Sequence, residues 1–274
     1  MPSVDPSRRK RRRIIVWGCL GVIGVSFYLW QPIRVHLFSK SAPEMTLVQV
    51  EEVGLLEKGK RILIVAGHPD DSEFYLGGTL TRAHEAGAIV RLVAMTNGDK
   101  AFYPFGVPAS LTATRQKEQS EAAAQWGGEA VFLNYRDGRL PVSEKTVKDL
   151  LNEIEKFKPD IVITFDPEFG PSRTHRDHDS AGENVVRALE QWNRDCWVLF
   201  FNTRAPNLSV EISDHWDQKV ELLKIHKSQF NGGRLEFVSN LLFENAIIEG
   251  GKAGLNMAES FRAMRHVRHP LSIP

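Results

Sequence analysis

The sequence predicts a doubly wound, mainly parallel α/β sheet. Three observations carry this. Short apolar runs alternate with helical patterns for at least four units from Arg61 onward. The runs, such as Ile62-Leu63-Ile64-Val65 and Ile161-Val162-Ile163-Thr164-Phe165, are almost wholly apolar, as strands covered on both faces are. Finally, side chains suited to acid–base and metal chemistry fall directly after two of these runs. That is the edge at which such sheets bind ligands.

Taken in order, Arg61–Ala66 reads as the first strand and Leu76–Ala86 as a helix closed by Gly87. Ile89–Met95 is the second strand. An irregular stretch from Thr96 to Leu111 follows, holding Pro104, Pro108 and the aromatics Phe102, Tyr103 and Phe105. Thr112–Trp126 is a helix stopped by Gly127-Gly128, and Val131–Tyr135 is the third strand. Arg136-Asp137-Gly138 is a turn, and Ser143–Phe157 a helix with Ser143 as its N-cap. Asp160–Phe165 is the fourth strand and Trp197–Phe201 a fifth apolar run. Asp217–His226 and Leu235–Glu249 read as helical, and His266 and His269 as part of a basic tail. Trp192, Trp197 and Trp216 read as core and rim residues. The 274 residues, 42% hydrophobic and 25% charged, suit a globular domain with a sizeable core.

After the first strand comes Ala66-Gly67-His68-Pro69-Asp70-Asp71-Ser72-Glu73. Adjacent aspartates repel unless a cation or proton lies between them, which points to a metal. Helix capping is the competing reading of the same residues. After the fourth strand comes a second cluster, Asp166-Pro167-Glu168 through His175-Arg176-Asp177-His178. His175 and His178 are three apart and share a face on a helical turn. If the sheet order is 3-2-1-4-5, strands one and four are neighbours at the topological switch point. His68, Asp70 and Asp71 then face one crevice with His175 and His178. Two imidazoles and a carboxylate suit Zn2+, and Fe2+, Mn2+ or Co2+ are tolerated by the same ligands.

The chain here resembles the zinc-dependent de-N-acetylases grouped as LmbE-like or PIG-L-like proteins, from about Arg61 to near the C-terminus. The markers are His68-Pro69-Asp70-Asp71, Gly77-Gly78-Thr79, Arg115-x-x-Glu118 on a helix, His175-x-x-His178, and His226-x-Ser228-Gln229. Ser72 is inserted before the acid at Glu73, which bears on the role of Glu73 and not on the ligands. The resemblance implies a Rossmann-like fold and His68, Asp71 and His178 as metal ligands. It implies Asp70 as general base, and His175 as the group that stabilises the oxyanion or protonates the leaving amine. Arg115 resembles an arginine that contacts substrate, although a helix-surface pair with Glu118 explains it equally. His226 either lines the site or holds the C-terminal part in place.

The implied reaction is removal of an acetyl group from an N-acetylated amino sugar of the N-acetylglucosamine type. Cleavage of another amide or an ester is the alternative within enzymes. A non-catalytic sugar- or nucleotide-binding Rossmann-like protein is the alternative outside them. No Gly-x-Gly-x-x-Gly follows the first strand, which argues against a nucleotide.

The N-terminus is organised differently. Arg8, Arg9, Lys10, Arg11, Arg12 and Arg13 against Asp5 give the first 13 residues a charge of +5. The rest carries 29 basic and 33 acidic residues, so nothing in the body suggests a nucleic-acid partner. Residues 14–30 are free of charge, about 26 Å as a helix, with Tyr28 and Trp30 at the far end. Gln31-Pro32-Ile33-Arg34 offers no small-x-small cleavage site, so a transmembrane anchor is expected over a signal peptide. The charge bias places the N-terminus in the cytoplasm and the catalytic domain outside. The expected organisation is thus a basic arm over 1–13, an anchor over 14–30, a connecting segment over 31–60 and a metal-dependent deacetylase domain over 61–274. Cys19 and Cys196 are the two cysteines, which excludes a disulfide framework within the domain and a cysteine-rich zinc site.

Overall fold

The computed structural model describes residues 44–100, 108–171 and 176–267. A short helix α1 (Val50–Val53) precedes the sheet. The chain then alternates β1 (Arg61–Ala66), α2 (Asp71–Glu85), β2 (Ile89–Thr96), α3 (Leu111–Gln125), β3 (Glu129–Tyr135), α4 (Glu144–Phe157), β4 (Ile161–Phe165), α5 (Arg176–Gln191) and β5 (Cys196–Phe201). After β6 (Leu208–Glu211) and a 3-10 turn come α6 (Trp216–Ile225), α7 (Gly232–Ala253) and β7 (Ala258–His266). Among the described residues this makes seven strands and seven α-helices.

The strands form one sheet in the order β3-β2-β1-β4-β5-β7-β6. β1 to β5 are parallel, with Ile62 of β1 facing Val90 on one side and Ile161 on the other. β1 and β4 are therefore neighbours at the switch point, the arrangement on which the predicted crevice depends. Ile62, Leu63, Ile64, Val65, Val162 and Ile163 are fully buried, as strands sandwiched between helix layers require. Ser143 caps α4 as predicted, its side chain accepting from the Thr146 N–H at 3.3 Å.

The Gly77-Gly78 pair in α2 has a packing reason. A Cβ on Gly77 would lie 2.8 Å from Lys219 Cγ of α6, and one on Gly78 2.7 Å from Ile212 Cβ. Glycine here lets α6 and the end of β6 press directly against α2.

Two expectations about these elements are corrected. α2 begins at Asp71, five residues before the predicted start, so Asp71 and Glu73 occupy its first turn, where the helix dipole favours acids. His266 is the last residue of β7 and pairs with Cys196, so it is part of the sheet and not of a tail. Neither β6 nor β7 was predicted. β7 reads as polar through Glu259, Arg262 and Arg265, yet Glu259 and Arg262 are buried. Glu259 pairs with Lys219 at 2.5 Å, and Arg262 with Asp166 at 2.7 Å.

The predicted transmembrane anchor over 14–30 lies outside the described residues. Among those described, no helix is long and apolar enough to cross a membrane. The placement as a single-pass membrane protein with an extracytoplasmic domain is corrected accordingly.

Candidate metal centre

β1 delivers the chain to the carboxyl edge of the sheet, where Gly67 and His68 turn it into α2. The Asp71 carboxylate accepts the His68 backbone N–H at 2.8 Å, which pins the turn. From α5, beyond β4, His178 enters the same space. Its ring stacks on Phe165, the last residue of β4, with centroids 3.9 Å apart and planes 9° from parallel. A Cβ on Gly67 would stand 3.1 Å from the His178 ring and 3.4 Å from the Asp71 carboxylate. Glycine at this position leaves the room in which the three side chains meet.

Their donor atoms converge. His178 Nε2 lies 3.2 Å from His68 Nδ1 and 3.2 Å from Asp71 Oδ1, and His68 Nδ1 lies 3.5 Å from Asp71 Oδ2. Tetrahedral ligands at about 2.0–2.1 Å from a zinc ion stand about 3.3 Å from one another, so the donor set fits such an ion. Two nitrogens and one carboxylate oxygen also leave a further coordination position open, as catalytic sites do.

A layer behind His68 strengthens the fit. His68 Nε2 lies 3.3 Å from Asp137 Oδ1 and 3.3 Å from Asp177 Oδ2. Two carboxylates beside Nε2 favour a proton on that nitrogen, and in the neutral tautomer this leaves the Nδ1 lone pair facing His178 and Asp71. Asp177 is itself fixed by the Gly138 and Leu140 N–H groups at 2.5 and 3.1 Å, which ties the turn after β3 to α5. Burial alone would lower the His68 pKa, but Asp137, Asp177 and Asp71 together hold it well above the ordinary value. Burial alone would raise Asp71, but the neighbouring imidazoles hold it well below the carboxylate range. In the sequence Asp137 reads only as part of a turn, and Asp177 carries no role of its own. The one signal available was Asp177's position between the two histidines.

Asp70 stands beside this cluster. Its φ of 102° with ψ of −22° is an unfavourable backbone conformation for a residue with a side chain, costing about 1–3 kcal/mol. Burial raises its carboxyl pKa; Arg115 opposes that and Asp71 adds to it, leaving the value raised. Arg115 is buried and does not form the surface pair with Glu118 that its spacing allowed. Its Nη2 lies 2.5 Å from Pro69 O and 3.1 Å from Asp70 Oδ2, while Nη1 donates to Gly98 O and Lys100 O. Glu118 instead accepts the Ser228 N–H and hydroxyl at 2.8 and 2.6 Å.

His226 is also buried. Its Nε2 lies 3.0 Å from Glu73 Oε2, and Glu73 further accepts from Trp126, Ser72 and Gln119. Burial would lower His226 and raise Glu73, and their mutual bond reverses both shifts. His226 thus braces the start of α2 from behind, and it is not among the residues lining the cavity. Glu73 is part of this bracing and holds none of the converging donors. His175 lies outside the described residues.

The cavity above the cluster has a volume of about 600 Å³. His68, Asp70, Asp71 and His178 line it together with Phe74 and Phe230, whose rings stack at 6.2 Å.

Fold and site together define a doubly wound α/β protein with a two-histidine, one-aspartate centre at its switch point. The family described as PIG-L, GlcNAc-PI de-N-acetylase, matches residues 63–189, and the chain carries a PIG-L (LmbE-like) de-N-acetylase family domain. It is 28% identical over 221 residues to a diacetylchitobiose deacetylase of Thermococcus kodakarensis, covering 74% of this chain and 82% of that one. It is 29% identical over 194 residues to a probable N-acetyl-alpha-D-glucosaminyl L-malate deacetylase 2 of Bacillus anthracis, covering 64% and 84%. The solved N,N'-diacetylchitobiose deacetylase of Pyrococcus horikoshii, complexed with its inhibitor MPG, matches at a TM-score of 0.73 and 26% identity. That match covers 88% of this chain and 92% of that one.

Proposed function

We propose that this chain is a metal-dependent hydrolase that removes the acetyl group from an N-acetylglucosamine-type amino sugar. The observation that carries the reading is the convergence of the His68, Asp71 and His178 donors within 3.2–3.5 Å, in a cavity that Asp70 also lines. The relatives named above as deacetylases of such sugars support the substrate class.

His68, Asp71 and His178 would hold the ion, with Zn2+ first and Fe2+, Mn2+ or Co2+ also suited to the donors. A bound divalent cation supplies polarisation of the acetamide carbonyl and a more acidic water. Asp70, with its raised pKa, takes the proton from the attacking water as that oxygen bonds to the carbonyl carbon. The C–N bond then breaks, the proton passes to the departing nitrogen, and acetate and the free amine leave. His175 is the proposed partner for the oxyanion or the leaving amine. Phe74 and Phe230 offer an apolar wall for the C–H face of a pyranose.

The test is amine release from a panel of N-acetylated mono- and disaccharides, before and after chelation. Release that stops with chelator and returns with divalent metal is the expected result. Release indifferent to chelator would remove the metal from the reading, and no release from any N-acetylated sugar would remove the substrate class.

A further inference from the structure

Helix α3 presents two buried side chains one turn apart, Arg115 and Gln119, toward the start of α2. They meet the two ends of a single peptide unit. Arg115 Nη2 donates to the Pro69 carbonyl at 2.5 Å, and Gln119 Oε1 accepts the Asp70 N–H at 2.7 Å. That peptide leads into Asp70, whose φ of 102° is rare for a residue with a Cβ. Such a conformation persists only where its surroundings over-determine it.

The grip is itself anchored. Gln119 Nε2 donates to Glu73 Oε1 and Oε2 at 3.0 and 3.2 Å, which fixes the amide so that its oxygen faces Asp70. Glu73 is held in turn by Trp126 Nε1 at 2.9 Å and His226 Nε2 at 3.0 Å. On the other side, Arg115 also reaches the Asp70 carboxylate at 3.1 Å and the Gly98 carbonyl at 3.1 Å. Both the main chain and the side chain of Asp70 are thus set from α3.

We propose that Arg115 and Gln119 are positioning residues that clamp the Pro69–Asp70 peptide and so aim the Asp70 carboxylate into the cavity. This rests on the reading of Asp70 as the general base. It gives Arg115, which also lines the cavity, a task beyond contact with substrate, and it explains why a glutamine is buried against Glu73. The bracing by Glu73 and His226 acts through Gln119.

The experiment compares kcat, KM and metal content for Gln119→Met, Arg115→Lys and Asp70→Asn in the full chain. Gln119→Met keeps the volume and loses both hydrogen-bonding ends. It is expected to lower kcat by about 10–100-fold with KM within about twofold and full metal content, as a misplaced catalytic group does. Arg115→Lys, which can satisfy the Pro69 carbonyl or the Asp70 carboxylate but not both, is expected to do the same to a lesser degree. In the Asp70→Asn background, Gln119→Met should cost little more, because the group it aims is already gone. Exchanging the pair, Gln119→Glu with Glu73→Gln, restores an acceptor for the Asp70 N–H and should recover most of kcat. That exchange is the decisive variant if Gln119→Met does not fold. Unchanged kcat in Gln119→Met, an Arg115→Lys variant altered in KM alone, or an exchange that folds without recovering rate would each overturn the clamp. If Asp70→Asn itself retains full activity, the base assignment fails instead, and the two failures are distinguishable.

Discussion

Two buried aspartates stand at the ends of neighbouring strands, Asp71 after β1 and Asp166 after β4, and they are satisfied in opposite ways. Asp166 takes Arg262 on both oxygens, at 2.7 and 2.8 Å, with the Glu168 and Phe169 N–H groups and the Thr203 hydroxyl. Its two oxygens together accept five hydrogen bonds. Asp71 has one backbone donor, from His68, and otherwise faces imidazole nitrogens. One carboxylate closes a loop onto β7. The other joins lone pairs that converge on a point, and such an arrangement is stable only with a cation or protons between them. A buried carboxylate is thus read by counting its donors, not by its burial.

The largest way to sharpen this contrast is to remove a converging donor. His178→Ala deletes one of three, and we expect loss of most bound metal and of activity, measured by metal analysis and turnover on the same sample. Asp166→Asn should leave metal content unchanged. Metal retained in His178→Ala, or lost in Asp166→Asn, would reverse the roles given to the two aspartates.

The contrast also marks where sequence was informative. His68, Asp70, Asp71, His175 and His178 stood out because two strand ends carry them and the order β3-β2-β1-β4-β5 makes those strands neighbours, while the choice of His68, Asp71 and His178 as ligands came from the family resemblance. Four of the five parallel strands, β1, β2, β4 and β5, were legible because burial on both faces leaves an apolar run, whereas β3 at the sheet edge is only partly buried. β7 was not legible, because burial there is shared with charge. Arg262 lies over the Phe200 ring at 4.4 Å and on Asp166, and no local pattern announces a guanidinium that is satisfied inside. Asp137 and Asp177 were missed for a similar reason. Their role exists only through His68, which the fold brings to them from 69 and 109 residues away in the chain. The start of α2 was placed late because Pro69 and a strained Asp70 look like a loop, and the hydrogen bonds that overrule this come from α3.

The next effect falls on stability. Arg262→Met keeps most of the volume and leaves Asp166 charged in a buried place, with two of its donors gone. Breaking a buried pair from one side costs about 3–5 kcal/mol, so a clear drop in the urea midpoint is expected. Metal content should survive wherever the variant remains folded. An unchanged midpoint would mean that the Thr203 and backbone donors suffice for Asp166 alone, and that β7 is held by its ladder with β5.

The smallest effect is in pH. Burial by itself would raise the Asp166 carboxyl, but Arg262, the Phe169 N–H and Thr203 outweigh it and hold the group below its ordinary value. A carboxyl with a depressed folded pKa binds fewer protons folded than unfolded, so stability rises with pH across that interval. Its contribution is fully present above the unfolded pKa of about 3.9 and fades as pH falls toward the folded value. Asp166→Asn cannot titrate. The stability gap between the parent and this variant should therefore be constant from pH 7 to about 5 and should narrow below about 4. Urea midpoints taken on metal-free samples, so that occupancy of the centre does not enter, are the measurement. A gap that holds constant down to pH 3 would show that Asp166 is stabilised through its hydrogen bonds in either protonation state, and the contrast with Asp71 would then be one of geometry and not of charge.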